Sequence, residues 1–149
     1  MAFAFRYEAL LFYKQHLKEK AEIELSLSQR RLRECRELLQ EYKEGLWQIG
    51  SDLGVGLKAK MPSHIVKNHS DYMESLKTKI EFQEMEIIRA KKAVAEKLEN
   101  LLEKTKRYKI FEKLKEKDCQ KWSHQQYLLE QKETNETAVL RHGKGFLEN

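Results

Sequence analysis

The arrangement of the chain is set by one stretch, Gly45-Leu46-Trp47-Gln48-Ile49-Gly50-Ser51-Asp52-Leu53-Gly54-Val55-Gly56-Leu57-Lys58-Ala59-Lys60-Met61-Pro62. It holds four of the six glycines and the only proline among 149 residues. Glycine costs a helix about 1 kcal/mol relative to alanine, and proline lacks the backbone amide that a helix interior needs. The sequence therefore predicts a loop over residues 54–62 that separates two helices.

Apolar residues recur at intervals of three and four on both sides of this stretch, which is the a/d spacing of a heptad repeat. The seam before the stretch comprises Leu10, Tyr13, Leu17, Ala21, Leu25, Ser28, Leu32, Cys35, Leu39, Tyr42, Leu46, Ile49 and Leu53. The seam after it comprises Met73, Leu76, Ile80, Ile87, Ala90, Val94, Leu101, Tyr108 and Phe111, with Gln83, Lys97 and Lys104 as polar interruptions. This pattern predicts an all-α fold, a two-helix antiparallel coiled-coil hairpin with a longer second helix.

The predicted elements form a single domain over residues 1–149. We expect helix 1 at about 5–53, helix 2 at about 63–138 and a frayed tail at 139–149. A turn centred near Leu57 would place Leu39 opposite Leu76, because the numbers of facing residues would then sum to about 115. Helix 2 would extend past the start of helix 1 from about Glu112 to Leu140. Its apolar residues there would need a protein partner, a second copy of the chain or a bend in the helix to cover them: Leu114, Trp122, Tyr127, Leu128 and Leu129.

The residues that usually carry site chemistry are sparse. Cys35 and Cys119 stand alone, and the five histidines are scattered, so neither a zinc site nor a disulfide is expected. Gly54-Val55-Gly56 lacks the Lys-Ser/Thr pair of a phosphate-binding loop. Two solvated helices offer no pocket that excludes water, so we expect no enzyme and no cofactor. No apolar run is long enough to span a membrane, and no secretory signal is visible at the amino terminus.

Positive charge is moderate and unevenly placed. The chain has 29 Lys or Arg and 24 Asp or Glu, a formal charge of +5. The densest basic cluster is Lys104, Lys106, Arg107, Lys109, Lys113, Lys115 and Lys117, which the hairpin would place at the end that carries both termini. Such a cluster attracts phosphate or an acidic protein surface. On charge alone a nucleic-acid partner is not expected, since lysine-rich coiled coils commonly expose a basic face for solubility.

Several blocks of sequence, in order, carry a family resemblance. Two precede the turn, Phe5-Arg6-Tyr7-Glu8-Ala9-Leu10-Leu11 and Leu17-Lys18-Glu19-Lys20-Ala21-Glu22. After the turn come Arg107-Tyr108-Lys109-Ile110-Phe111-Glu112-Lys113-Leu114-Lys115-Glu116-Lys117, then Tyr127, then Glu130-Gln131-Lys132-Glu133-Thr134-Asn135-Glu136-Thr137-Ala138 to Arg141. With the length and the hairpin, the chain resembles the FliJ family, coiled-coil components of the bacterial flagellar type III export apparatus. Asn135 departs from the Asp expected before Glu136.

The resemblance implies a non-enzymatic stalk that enters the ring of the export ATPase FliI, contacts the export gate FlhA and helps substrate chaperones to cycle. It further implies a monomer in the cytoplasm, peripherally associated with the inner membrane at the flagellar base, with a role in flagellum biogenesis and hence in motility and chemotaxis. Residues expected to bind the ATPase ring are Lys104, Arg107, Lys109, Lys113, Trp122 and Tyr127. Residues expected to bind the gate are Leu38, Tyr42, Leu46, Tyr72, Leu76, Lys79 and Gln83, although seam packing is an equal explanation for Tyr42 and Leu76.

Three alternatives remain open from the sequence. One is the corresponding stalk of a virulence injectisome, which has the same role in a different system. Another is a generic coiled-coil tether or self-dimerising scaffold, for which a stable dimer is expected. The third is a basic nucleic-acid binder, whose affinity would fall steeply with salt.

Overall fold

A computed structural model describes the backbone of residues 2–147 and the side chains of residues 2–145. It contains two helices, α1 at Glu8–Lys58 and α2 at Ser63–Leu147, joined by residues 59–62. The helices pack against each other in antiparallel directions, and the second is the longer. This confirms the all-α hairpin predicted from the two seams.

Contacts along the hairpin divide the chain into two compact units. One, which we call the terminal unit, comprises Met1–Lys18 and Lys104–Asn149, and the other, the turn unit, comprises Glu19–Glu103. Both helices contribute to both units. The sequence predicted a single domain over residues 1–149, because a continuous heptad pattern does not reveal how the contacts are grouped.

The core of the turn unit lies along the predicted seam. Every seam position from Leu25 to Leu53 is half-buried in α1. In α2 the most buried apolar residues are Leu76, Ala90 and Ile87, which are 3%, 4% and 8% exposed. Side chains spaced three and four apart share one helix face, so these residues form a continuous apolar contact between the two helices. The heptad prediction is confirmed in this unit.

The register of the turn unit differs from the predicted one. The closest side-chain atom to a Cβ placed at Gly45 belongs to Leu76, at 3.8 Å, and Lys79 Nζ lies 5.9 Å from the centre of the Tyr42 ring. Facing residue numbers therefore sum to about 121, and the expected pairing of Leu39 with Leu76 is wrong. The shift arises because α1 continues to Lys58, which moves the centre of the turn three to four residues along the chain.

The turn is made by a lysine, not by the glycines. Lys60 has φ of 56°, in the left-handed region, and its N–H donates to the Leu57 carbonyl at 3.3 Å. Met61 N–H donates to the Gly56 carbonyl at 2.9 Å, which completes a Schellman motif at the end of α1. Pro62 then precedes α2, and its carbonyl accepts the first helical hydrogen bonds. The predicted loop over 54–62 is thus corrected to 59–62, because α1 continues through Gly54 and Gly56 and its capping hydrogen bonds come only at Lys60 and Met61.

Aromatic residues form the core of the terminal unit. Phe5 and Leu11 are each 8% exposed, and the Phe3 ring lies 6.0 Å from that of Trp122. The Tyr7 ring meets that of Phe111 edge-on at 6.5 Å. The segment before α1 therefore covers part of α2 that was expected to be bare.

Two further expectations about the terminal unit need correction. The predicted seam residues Leu10 and Tyr13 are 39% and 54% exposed, because Leu11 takes the buried position instead. The predicted frayed tail is helical as far as Leu147, so α2 ends later than the expected residue 138. The described side chains from Tyr127 to residue 145 are all exposed, which makes this part of α2 the bare extension.

Candidate partner-binding surfaces

The net positive charge of the chain belongs entirely to the terminal unit. That unit contains 14 Lys or Arg and 8 Asp or Glu, a formal charge of +6, whereas the turn unit contains 15 and 16, a charge of −1. Long-range attraction of an acidic partner therefore acts on the terminal unit.

Four lysines form a continuous exposed row on α2 within the terminal unit. Lys106, Lys109, Lys113 and Lys117 follow helical spacings of three and four, so they share one face. Within the described residues, no hydrogen bond or ion pair engages any of them. Ile110, 64% exposed, lies among them and adds an apolar contact point. We call these five residues the basic stripe, and their free charges suit an acidic protein surface.

The residues predicted to bind the ATPase ring occupy several environments. Lys109 and Lys113 belong to the basic stripe, and Tyr127 is 59% exposed on the bare extension. Lys104 is half-buried, and Arg107 is exposed but already has an intramolecular interaction. These differences follow from helical phase, which turns neighbouring basic residues towards or away from α1.

The Trp122 side chain is less accessible to a binding partner than the sequence indicated. It is half-buried, and its ring contacts that of Phe3. This contact was not predicted, because residues 2–7 lie outside the heptad pattern. Their aromatic content, Phe3, Phe5 and Tyr7, was the available signal.

One lysine of the same basic cluster serves the fold instead. Lys115 Nζ lies 3.0 Å from the Glu8 carboxylate at the first residue of α1, and its side chain is less exposed than those of the basic stripe. Lys115 was placed with its neighbours in one basic cluster, and Lys106 and Lys117 were not among the residues predicted to bind the ATPase ring. Applying the helical spacing to the cluster would have separated these roles.

The residues predicted to bind the export gate all lie in the turn unit, but only some reach its surface. Leu38 and Tyr72 are 36% and 50% exposed. Tyr42 and Leu46 are half-buried, and exposed Lys79 stacks its ammonium over the Tyr42 ring. Tyr42 therefore combines partial burial with a cation–π contact to Lys79.

Two other predicted gate residues lie inside the interface between the helices. Leu76 is 3% exposed and Gln83 is 6% exposed. The Gln83 side-chain amide donates to the backbone carbonyl of Cys35 at 2.9 Å. Gln83 is therefore a satisfied core residue that links the helices, and neither side chain is accessible in this conformation.

Features of other functional classes are also defined by the structure. Cys35 and Cys119 are free thiols. Within the described residues, no three His, Cys, Asp or Glu side chains are grouped to hold a metal ion. Neither described helix contains a segment sufficiently long and apolar to cross a membrane.

Comparison with known proteins places the chain in a family. The model of the flagellar FliJ protein family matches residues 3–145, nearly the whole chain. The chain belongs to the FliJ family. FliJ proteins are components of the flagellar export apparatus, and the family is a non-enzymatic one. No curated protein and no solved structure matched the chain. The match confirms the family resemblance that the ordered sequence blocks indicated.

Proposed function

We propose that the chain is a non-catalytic stalk that couples ATP hydrolysis by the export ATPase FliI to flagellar protein export. In this proposal the terminal unit enters the FliI ring, and the turn unit contacts the cytoplasmic domain of the gate protein FlhA. The protein acts as a monomer at the cytoplasmic side of the inner membrane and assists chaperone cycling. The observation that supports it most is the segregation of charge, +6 in the terminal unit and −1 in the turn unit.

The basic stripe is the part of the terminal unit best suited to contact the ATPase. Its lysines are exposed and unpaired within the described residues, so binding requires no intramolecular ion pair to break. Exposed charge pairs contribute roughly 0.2–1 kcal/mol each, and several together set the association rate and the orientation of binding. The bare extension from Tyr127 adds apolar side chains that no described residue covers, including Leu128, Leu129, Val139 and Leu140.

The ATPase contact is tested by charge reversal in the stripe. Lys109→Glu with Lys113→Glu removes two attractive contacts and adds two repulsive ones, which should weaken FliI binding by about 2 kcal/mol, roughly thirtyfold in Kd. The measurement is titration of FliI with labelled chain at fixed salt. Lys91→Glu with Lys92→Glu is the matched control, because both lysines are exposed but lie in the turn unit. Equal loss of affinity in both variants would indicate a general charge effect and contradict the proposed site.

The gate contact is tested at an exposed aromatic residue. Tyr72→Ala removes a side chain that is 50% exposed, so the fold should be unchanged while affinity for the FlhA cytoplasmic domain falls. Circular dichroism checks helicity, and calorimetry measures binding. An unchanged affinity would exclude Tyr72 from the contact. Sedimentation of the free chain checks the monomer, and a stable dimer at micromolar concentration would favour the scaffold alternative.

A further inference from the structure

The turn between the two helices carries exposed apolar side chains. Val55 and Leu57, in the last turn of α1, are 67% and 56% exposed. Ala59 and Pro62, in the connection to α2, are exposed as well. Single apolar residues are scattered over any protein surface, but these four lie close together in the chain and form a cluster. We call residues 55–62 the turn tip.

The backbone of the connection has an acceptor for each of its N–H groups. The Ala59 N–H donates to the Val55 carbonyl at 3.1 Å. Lys60 and Met61 donate the hydrogen bonds that cap α1, and Pro62 has no N–H. A backbone amide without an acceptor costs free energy wherever water is scarce. The connection can therefore approach a less polar phase without leaving one of its amide donors unpaired.

Positive charge is concentrated at and beside the turn tip. Residues 53–70 form the longest run of the chain without Asp or Glu, and they include Lys58, Lys60 and Lys67. All three lysines are exposed, and within the described residues no hydrogen bond or ion pair engages their side chains. This run has a formal charge of +3 in a unit whose total is −1, so the rest of the turn unit has −4. An extended anionic surface therefore attracts the turn and repels the remainder of the unit.

We propose that the turn tip binds an anionic lipid surface. Val55 and Leu57 enter the headgroup layer, and the two lysines of the turn tip bind the lipid phosphates. Hot spots between proteins are enriched in Trp, Tyr and Arg and poor in Leu and Val, and the turn tip contains none of the first three. Aliphatic side chains beside lysines are instead typical of segments at a membrane surface, where the lysine stems are buried and the ammonium groups reach the phosphates. The inference goes beyond the stalk function, because it requires neither FliI nor FlhA.

Sedimentation of the full chain with lipid vesicles at physiological ionic strength tests the proposal. We expect the wild type to bind vesicles of phosphatidylcholine and phosphatidylglycerol, and not vesicles of phosphatidylcholine alone. Lys58→Gln with Lys60→Asn should lower the partition coefficient about twenty-five-fold, because each lysine near an anionic surface contributes about fivefold and the two effects multiply. Asparagine tolerates the left-handed φ of 56° at residue 60. Val55→Ser with Leu57→Ser should lower the coefficient about tenfold, because it removes the apolar contact and keeps the lysines.

Two charge-matched variants locate the contact. Lys91→Gln with Lys92→Gln removes two exposed lysines elsewhere in the turn unit, and Lys109→Gln with Lys113→Gln removes two from the basic stripe. Both should bind the vesicles as the wild type does, and circular dichroism should show the same helicity in all four variants. Failure of the wild type to bind anionic vesicles overturns the inference. An equal loss in either control and in the lysine variant of the turn tip overturns it too, because the attraction would then be general.

Binding to the FlhA cytoplasmic domain, measured with the same variants, separates a lipid from a protein partner. We expect the Lys58→Gln/Lys60→Asn variant to bind FlhA as the wild type does. Weaker binding of this variant to FlhA, with no binding of the wild type to vesicles, would assign the turn tip to a protein surface and overturn the lipid contact. Stimulation of FliI is independent of the vesicle result, so it tests the stalk function separately.

Discussion

Replacement of Gln83 by leucine tests whether a hydrogen bond or apolar burial contributes more to the interface between the two helices. Gln83 is 6% exposed at a seam position and donates to the Cys35 carbonyl across the interface. That carbonyl keeps its own helical partner, the N–H four residues later, so removing the glutamine leaves no unsatisfied backbone acceptor. We therefore expect Gln83→Leu to stabilise the chain, although it removes a hydrogen bond between the helices.

The expected change in the free energy of unfolding of Gln83→Leu is the difference between two opposing contributions. Burying a leucine side chain contributes about 1.5–3 kcal/mol. Losing the hydrogen bond costs about 0.5–1.5 kcal/mol, since the same groups bond to water in the unfolded chain. The balance is a gain of about 1 kcal/mol in the free energy of unfolding. Gln83→Ala, which loses the bond without the apolar gain, should cost about 1 kcal/mol.

Urea unfolding followed by circular dichroism at 222 nm measures both variants. We expect both variants to keep the helicity of the wild type and the same dependence of the free energy of unfolding on urea concentration. The urea midpoint should rise in Gln83→Leu and fall in Gln83→Ala. A polar residue in a coiled-coil seam fixes register at a cost in stability, so Gln83→Leu should also permit alternative pairings of the helices. A decrease of about 1 kcal/mol or more in the free energy of unfolding of Gln83→Leu would contradict this expectation. It would mean that the hydrogen bond stabilises the fold more than apolar burial does at this position.

Two further predictions concern the ends of the hairpin. Lys60→Gly should raise the free energy of unfolding by about 1 kcal/mol, because glycine adopts the left-handed φ of 56° without the steric penalty of a side chain. Thermal unfolding measures the change in stability, and a lower midpoint than that of the wild type would contradict the prediction. Phe3→Ala should shift the fluorescence of Trp122 to longer wavelength and lower the free energy of unfolding by about 1 kcal/mol, because it exposes the indole ring. Trp122→Phe identifies the part of the emission that comes from Trp122. An unchanged spectrum in Phe3→Ala would count against the packing of the two rings.

The heptad spacing predicted the helices and the core of the turn unit because packing between two helices leaves a repeating apolar signature. It could not fix register. Gly54 and Gly56 have low helix propensity, but α1 continues through both of them to Lys58, and a lysine adopts the left-handed turn conformation. An error of a few residues in the turn was enough to misalign Leu39 and Leu76.

The candidate sites were predictable only in part, for a related reason. The basic cluster was visible as composition, but whether a lysine faces solvent or α1 depends on helical phase, as Lys113 and Lys115 show. Gln83 was treated as a weak point of the seam, whereas its length lets it reach the opposite backbone. The aromatic segment before α1 lacks the three-and-four spacing of the heptad repeat, so the repeat did not predict its packing against Trp122.

The proposed stalk function requires that the terminal unit bind the export ATPase through its basic stripe. The most direct test is the steady-state rate of ATP hydrolysis by FliI, titrated with the wild-type chain and with the Lys109→Glu/Lys113→Glu variant. We expect the wild type to stimulate hydrolysis and the stripe variant not to do so at concentrations that saturate the wild type. The Lys91→Glu/Lys92→Glu variant should behave as the wild type. Equal stimulation by the wild type and the stripe variant, with helicity intact in both, would contradict it.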